Sequence, residues 1–437
     1  MEERIIEWQQ YGTTVIHPLG ILFAVIMWGL VLFLKREYKV FPYLMIGCFM
    51  TSMQRIVVMG INFPYMRIAI LIGMLIVLLS RQYQLKLNTI DKAIIAFIIL
   101  KVILCGVLMG SSGVIEKLGQ GCDTVLAYFF LRYIFSEIED YTYIMKFFAI
   151  ASIVIAIFMI NEKLSGRNLF SFLGGVPEFT MEREGRLRAQ AAIDHPILAG
   201  TFGALLIPFM WVLWNQKNKF HALAGAISGI IITFTSASSG PIMTLMSSFI
   251  GLLLWRFREK RKYFIWAIII PVVVLQLVMN NPVWFIFMYI DFAGGSTGYF
   301  RSMLIDESIR HLPEWLLYGT RSSGQWAWGL QDTTNQYLRE GFDGGLITLI
   351  LFVTIIIMGF KYVGKSLDIF KDDSIKQKTA WALGTILFAH CVTFIGVSYF
   401  GHMEFFYFMH LAMISSLLAF KEEEGGAADP ERALMPG

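Results

Sequence analysis

The stretch KAIIAFIILKVILCGVLMG, residues 92–110, decides the fold, because it is apolar along its whole length apart from two lysines. A helix that crosses a membrane needs about 20 consecutive residues of this kind. Comparable runs occur on both sides of it. The predicted spans lie near residues 15–34, 41–60, 64–80, 92–110, 120–136, 143–160, 196–214, 220–235, 241–255, 263–280, 343–360, 379–396 and 404–420. The pattern predicts an all-α polytopic transmembrane bundle of about 12–14 helices.

The composition is that of a membrane protein. Hydrophobic residues make up 56% of the 437-residue chain, charged residues make up 16%, and the mean hydropathy is +0.62. Because soluble proteins carry about 25% charged residues, the composition excludes a soluble protein of this size. We expect one polytopic membrane domain over residues 1–424 and a disordered polar tail over residues 425–437.

The basic residues predict how the chain is oriented. Lysines and arginines between spans are retained on the cytoplasmic side, and with the predicted spans all the basic clusters fall on one face. These clusters are Lys35/Arg36/Lys39, Arg81/Lys86, Lys217/Lys219, Arg256–Lys262 and Lys361–Lys378. This places the N-terminus outside. The net charge of +4 therefore reflects how the chain is oriented in the membrane, and we expect no nucleic-acid partner. The four cysteines include no CxxC pair, so they give no sign of a metal site.

Two longer loops fall on the outer face, at about residues 161–194 and 281–341, and we expect the second to be partly helical. Both are rich in arginine, namely Arg183, Arg186, Arg188, Arg301, Arg310 and Arg321. Guanidinium groups match phosphate oxygens with a planar fork of donors and stay charged, so the loops predict an anion site. The alternative is that these arginines pair with nearby Glu182, Glu184, Asp306 and Glu307 or anchor in lipid headgroups.

A polar segment precedes the predicted span at 343–360. It reads QDTTNQYLREGFDGGLITLIL, residues 331–351, and runs through Gly344-Gly345 into apolar residues. Asn335 lies at the expected membrane boundary. Its side chain either caps a helix or belongs to a binding site.

This segment resembles a motif of the O-antigen polymerase and O-antigen ligase superfamily of integral membrane glycosyltransferases, which includes protein O-oligosaccharyltransferases. The ligase signature is His, any residue, Asn/Ser/Gln, nine residues, Gly, two residues, then Gly/Thr/Tyr. Asn335, Gly345 and Thr348 fit this spacing, but Thr333 stands where the signature has histidine.

Two further stretches resemble motifs of the same family. Arg301 opens a helical pattern that leads to LLYGT, residues 316–320, which is similar to the arginine motif of the family's large outer loop. RLRAQAAIDHPILAGTFGALLIP, residues 186–208, is similar to the stretch in which an arginine precedes His-Pro or Asn-Pro at the head of a span. A weaker likeness is TSASSGPIM, residues 235–243, which lacks the usual arginine. The resemblance covers roughly residues 185–350.

The resemblance implies a glycosyltransferase on the outer face of the bacterial cytoplasmic membrane. Its donor would be an oligosaccharide on undecaprenyl pyrophosphate, and it would need neither a metal ion nor a nucleotide sugar. The missing histidine favours a polymerase of lipid-linked repeat units, for an O-antigen, a capsule or an exopolysaccharide, over a ligase or a protein O-oligosaccharyltransferase. A chain-length regulator and a flippase are possible partners beside the lipid bilayer. The competing class is a transporter or flippase, which predicts discontinuous helices and inverted repeats.

The residues that would carry this chemistry follow from the same motifs. Cations that stabilise the pyrophosphate leaving group would be Arg301 with Arg186 or Arg188, followed in rank by Arg321 and Arg310. Thr333, Asn335 and Tyr337 would contact the substrate. Since threonine cannot act as the base, Asp332, His195, Asp194 and Glu340 are the candidates for accepting the proton of the attacking hydroxyl, unless the reaction needs little base. His195 equally fits a structural role before Pro196.

Overall fold

The computed structural model describes residues 13–79, 86–289 and 298–419, and most of them are helical. The α-helices are α1 (Pro18–Phe33), α2 (Phe41–Phe49), α3 (Tyr65–Leu79), α4 (Thr89–Met109), α5 (Ser111–Ile134), α6 (Ile138–Ser165), α7 (Pro196–Leu205), α8 (Ile207–Asn215), α9 (Lys219–Thr235), α10 (Ser239–Leu253), α11 (Phe264–Val278), α12 (Gly298–Arg310), α13 (Leu312–Trp315), α14 (Gln336–Ile369), α15 (Ser374–Phe394) and α16 (His402–Ser416). Short 3-10 helices cover Arg36–Tyr38, Ser171–Leu173, Leu254–Tyr263 and Val283–Tyr289. Two antiparallel hairpins complete the described part, β1 (Arg55–Val58) with β2 (Ile61–Pro64) and β3 (Met181–Arg183) with β4 (Arg186–Arg188).

Five helical stretches in the described residues are long and apolar enough to cross a membrane. They are Thr89–Met109, Ile138–Ser165, Pro196–Asn215, Ser239–Val278 and Gln336–Ile369. The shorter apolar helices are α1, α3 and α9. This agrees with the predicted all-α class, whereas the expected number of about 12–14 spans stays a prediction. Helix α5 is long enough to cross a membrane, but it carries Lys117, Asp123 and Arg132 and is not among these five apolar stretches.

The predicted helical span at 41–60 is wrong. Helix α2 ends at Phe49, and the hairpin β1–β2 follows, because Met59 and Gly60 take positive φ angles of 51° and 78° that form a turn. The start of hairpin β1–β2 nevertheless lies beside the residues that precede α1. Val15 and Arg55 exchange two backbone hydrogen bonds, each 3.0 Å long, just before α1 begins.

The basic clusters and the long loops lie at opposite ends of the bundle. Four side-chain contacts join elements at the basic end: Arg36 with Asp140, Thr142 with Gln216, Asn215 with Lys378, and Arg261 with Asp368. At the other end, Gln54 beside hairpin β1–β2 donates to the carbonyl of Leu173 in the first long loop. Arg321 in the second long loop donates to the carbonyl of Leu108 at the end of α4. Among the described residues, these contacts place the basic clusters and the long loops at different ends of the helices, whereas the orientation in a membrane stays a prediction.

The second long loop is partly helical, as expected, and it leads into a broken helix. Helices α12 and α13 form within it, and α14 begins directly after Asn335. Helix α14 is interrupted at Gly344 and Gly345, where Gly345 has φ 75° and ψ −177°. The backbone N–H of Leu346 donates to the carbonyl of Leu316 at 2.9 Å, so the loop supplies a partner to the broken helix. The predicted span at 343–360 is thus the second half of a longer, interrupted element.

Helix α11 differs from the other long apolar segments. None of its residues is buried, and its contacts with the described chain are confined to its ends. One large apolar cluster fills the interior between the remaining helices, and two smaller clusters lie beside it, around Trp315 and Phe342 and around Ile207 and Leu245.

Predictions about the N-terminus and the tail 425–437 lie outside the described residues. The same holds for Arg81 and for residues 290–297 of the second loop.

Candidate functional site

The loop between α15 and α16, residues 395–401 with the sequence IGVSYFG, is where the predicted site segments meet. Asn335 Nδ2 donates to the carbonyl of Ile395 at 3.1 Å, and the N–H of Tyr399 donates to Gln336 Oε1 at 2.6 Å. Sequence reasoning missed this loop because it is largely apolar. We call residues 395–401 the junction loop.

Arg301 packs against the junction loop. It lies in the first turn of α12 and is half-buried, and a Cβ atom placed on Gly396 would be 3.1 Å from both its Cζ and its Nε. A side chain at this position would have to displace the guanidinium by a few tenths of an ångström. Gly396 therefore leaves room for the Arg301 guanidinium beside the backbone.

Arg188 reaches the same region from the first long loop. Its side chain is 6% exposed, and Nη2 donates to Ser238 Oγ at 2.9 Å. Helix α10 starts next to Ser238, and its Gly240 lies against Val397 of the junction loop, at 3.6 Å from a built Cβ. Arg188 is thus linked to the junction loop through the start of α10, whereas Arg301 packs against the loop directly.

The Arg188 guanidinium is buried without a carboxylate partner among the described residues. Its Nε is shielded from solvent and has no hydrogen-bond partner in the same part of the chain. Burial, together with the positive charge of Arg183, lowers the pKa of Arg188 to about 10. A buried cation with no countercharge is costly, so an anion that enters this site would be strongly favoured.

The other predicted arginines are placed differently. Arg186 is exposed on β4, opposite Arg183 in the hairpin register. Arg310 is exposed and pairs with Asp306 at 2.8 Å, one helical turn away. Arg321 is exposed and caps α4 through the carbonyl of Leu108, at 2.9 Å from Nη2. The structure therefore packs Arg301 on the junction loop and links Arg188 to it through Ser238, whereas Arg310 and Arg321 make structural contacts elsewhere.

Asp194 and His195 border the junction loop from the start of α7. His195 is the N-cap, and its Nδ1 accepts the N–H of Ile197 at 3.1 Å, which is the structural role expected for a His-Pro pair. Asp194 accepts hydrogen bonds from Ser52 Oγ and from the backbone of His402, the latter at 3.4 Å. Both side chains therefore have structural partners at the place where a base was predicted.

The segment before α14 holds the remaining predicted residues. Asp332 is exposed and Thr333 is half-buried. Asn335 is the N-cap of α14, accepts the N–H of Leu338 at 3.1 Å, and also holds the junction loop. Tyr337 donates its hydroxyl to the carbonyl of Cys391 at 3.1 Å. Asn335 and Tyr337 thus attach this segment to the end of α15.

A buried ionic network extends from the junction loop into the bundle. Gln336 donates to Glu340 Oε1 at 2.6 Å, and Glu340 Oε2 pairs with Lys101 at 2.6 Å. Asp343 joins Lys101 at 3.1 Å to Lys117 at 2.8 Å. Gln336, Glu340 and Asp343 share one face of the first half of α14, and this spacing was readable from the sequence.

Ionic residues within other helices are also paired. Arg67 binds both carboxylate oxygens of Asp123 at 2.7 Å, and Arg132 contacts both oxygens of Asp91 at 2.5 and 2.6 Å. Such pairing offsets the cost of a charge inside an apolar bundle. Within the described ranges, no group of three or more His, Cys, Asp or Glu side chains is placed to hold a metal ion.

No protein-family model matches this chain, and no curated protein matches it. The assignment of a function therefore rests on the motifs and on the geometry described above.

Proposed function

We propose that this protein is a membrane glycosyltransferase that polymerises undecaprenyl-pyrophosphate-linked oligosaccharide repeat units. The reaction would take place on the outer face of a bacterial cytoplasmic membrane, at the end of the bundle that holds the junction loop. Five helices of sufficient length and apolarity support the membrane location. The motif resemblance supplies the reaction class.

The proposal is carried by two arginines, Arg301 on the junction loop and Arg188 beside the start of α10, which packs on that loop. Arg188 is buried without a described carboxylate partner, and Arg301 lies against Gly396 of the same loop. A diphosphate carries negative charge that two guanidinium groups can bind in a fixed geometry. The site is therefore suited to a lipid pyrophosphate.

The chemistry makes use of positive charge that is already in place. When an acceptor hydroxyl attacks the anomeric carbon of the donor sugar, the bond to the pyrophosphate breaks and negative charge grows on the leaving oxygen. Arginines fixed by packing stabilise that charge without having to reorganise. Arg188 and Arg301 take this role in our proposal, and Arg310 and Arg321 do not.

The test is a reaction of the full-length protein, reconstituted with undecaprenyl-pyrophosphate-linked repeat units and without nucleotide sugar. We expect a ladder of glycan lengths on a gel, and a rate that falls about 10²–10³-fold in Arg301→Ala and in Arg188→Ala. Arg310→Ala is the matched control and should polymerise at the normal rate. A single transfer to another acceptor would indicate a ligase instead, and activity that is unchanged in both arginine variants would refute the assigned site.

A transporter of lipid-linked glycans is the second candidate, and the break in α14 favours it. Interrupted helices that face buried charges are a feature of transport sites. Gly344-Gly345 lies beside Asp343, which contacts Lys101 and Lys117. Movement of a labelled lipid-linked glycan across vesicles, with no change in glycan length, would support transport and contradict the polymerase.

A further inference from the structure

A small polar pocket lies next to the junction loop, between α4, α5, α14 and α16. Polar side chains on its lining include Lys101, Gln336, Glu340, Glu404 and Tyr407. Its apolar walls are aromatic, from Phe97, Phe352, Phe394 and Phe408. The enclosed space is the size of a water molecule or a hydroxyl group.

Two polar groups of this pocket have no partner in the part of the chain that the structure describes. Tyr407 is only 3% exposed, and its buried hydroxyl makes no hydrogen bond there. Buried hydroxyls almost always find a partner, so this one marks a place for a ligand atom. The partly buried carboxylate of Glu404 likewise has neither a hydrogen bond nor an ion pair with a described residue.

The second carboxylate of the pocket is already engaged. Glu340 is held by Lys101 at 2.6 Å and by Gln336 at 2.6 Å. Both carboxylate oxygens of Glu340 therefore already have a partner. Glu404 is therefore the carboxylate in this pocket that is available to take a proton.

The pocket is close to the arginine site. Gln336 also accepts the N–H of Tyr399, at 2.6 Å, and the aromatic ring of Tyr399 lines the pocket. Tyr399 is three residues from Gly396, where Arg301 packs, and three residues of extended chain span at most about 11 Å. The pocket and the contact of Arg301 therefore lie on the same short loop.

We propose that this pocket binds the attacking hydroxyl of the acceptor sugar and that Glu404 accepts its proton. Tyr407 and Glu404 hydrogen-bond the hydroxyl, and the sugar ring that carries it stays outside the pocket, which has room for one hydroxyl group only. This inference rests on the proposed glycosyl transfer. It supplies the proton acceptor that Thr333, standing at the histidine position, cannot provide.

Glycosyl transfer forms one bond to the anomeric carbon and breaks another. The acceptor oxygen forms a bond to the anomeric carbon of the donor, and the bond between that carbon and the pyrophosphate oxygen breaks. Both electrons of the broken bond stay on the pyrophosphate beside Arg188 and Arg301. The hydroxyl proton passes to the Glu404 carboxylate and is later released to water, which restores the carboxylate.

The test uses the reconstituted full-length chain with a short-chain lipid-linked repeat unit as acceptor. We expect Glu404→Gln to lower kcat by about 10²–10⁴-fold and Glu404→Asp to recover part of that loss. Tyr407→Phe should raise the acceptor KM about tenfold, because one hydrogen bond to the hydroxyl is lost. Glu116→Gln, a more exposed carboxylate outside the pocket lining, is the control and should behave as wild type.

Binding of undecaprenyl pyrophosphate to the same samples separates the possible results. Normal binding with the losses above would support the acceptor pocket. Full activity of Glu404→Gln and Tyr407→Phe would overturn it and leave a pocket that holds structural water only. Loss of lipid binding in these variants would overturn it too, because their role would then be structural. If the wild-type protein transfers no glycan, the proposed function itself fails.

Discussion

At the scale of single residues, two glycines matter to the proposed site as much as its charged residues do. Gly396 leaves room for Arg301, and Gly401 leaves room for the carboxylate of Asp194. Gly401 also has a positive φ of 57°, which favours glycine. The junction loop is thus shaped by glycines where it meets the charged residues.

Gly396→Ala tests this shaping directly. The added methyl would lie 3.1 Å from the Arg301 guanidinium and push it away by a few tenths of an ångström. We expect polymerisation to slow about tenfold, because small displacements of a charged group weaken transition-state stabilisation. Gly29→Ala in α1, where a Cβ would meet nothing within 4 Å, is the control. Equal rates for Gly396→Ala and wild type would show that the position of Arg301 does not matter.

The buried charge of Arg188 should lower the stability of the substrate-free protein while it serves to bind the substrate. Because its cation is buried and has no described countercharge, Arg188→Met should raise the free energy of unfolding of the substrate-free protein by about 1–3 kcal/mol. The same variant should lose the thermal stabilisation that undecaprenyl pyrophosphate gives the wild type. Thermal unfolding followed by tryptophan fluorescence, with and without that lipid, measures both effects. A destabilised Arg188→Met protein would mean that the charge is well accommodated without ligand.

At the scale of elements, the interruption of α14 is set by backbone conformation. Gly345 has φ 75°, and a Cβ there would lie 2.5 Å from the carbonyl oxygen of Leu317. The break lets the first half of α14 turn Gln336, Glu340 and Asp343 toward the buried network. A continuous helix would direct these side chains differently relative to the second half.

Gly345→Ala should therefore be costly. We expect a loss of about 2–4 kcal/mol in the free energy of unfolding, from backbone strain together with overpacking. Gly364→Ala lies in the same helix, where its Cβ would make an ordinary 3.5 Å contact with Arg261, and it should be tolerated. Denaturant unfolding of the two variants side by side measures the difference. If both were equally stable, the break would not be a fixed feature of α14.

At the scale of the whole molecule, the two ends of the bundle face different compartments in our proposal. In a cysteine-free background, Glu184→Cys between β3 and β4 should react with an impermeant maleimide added outside intact cells. Lys260→Cys in the basic cluster should react only after the cells are opened, because the positive clusters remain in the cytoplasm. The reverse pattern would invert the topology and place the arginine site inside.

Much of this arrangement could be predicted from local sequence, and the rest required tertiary contacts. Apolar runs indicated most of the helices, and the arginine motifs led to Arg188 and Arg301. The span at 41–60 failed because an apolar run does not distinguish a helix from a short helix followed by a hairpin. The junction loop has no charged residue, so only folding shows that it joins the predicted segments. Glu404 drew no attention because a lone carboxylate at the head of an apolar run gives no sign of its neighbours.

Helix α11, with no buried residue, has a consequence for how its sequence can change. A side chain packed among protein neighbours is restricted in shape, whereas one that faces lipid is restricted mainly in polarity. Random exchange among Ile, Val, Leu and Phe along α11 should therefore leave the protein functional, while the same exchange inside the bundle would not. Among the helices that the structure describes, α11 should therefore tolerate exchange between apolar residues with little effect on activity.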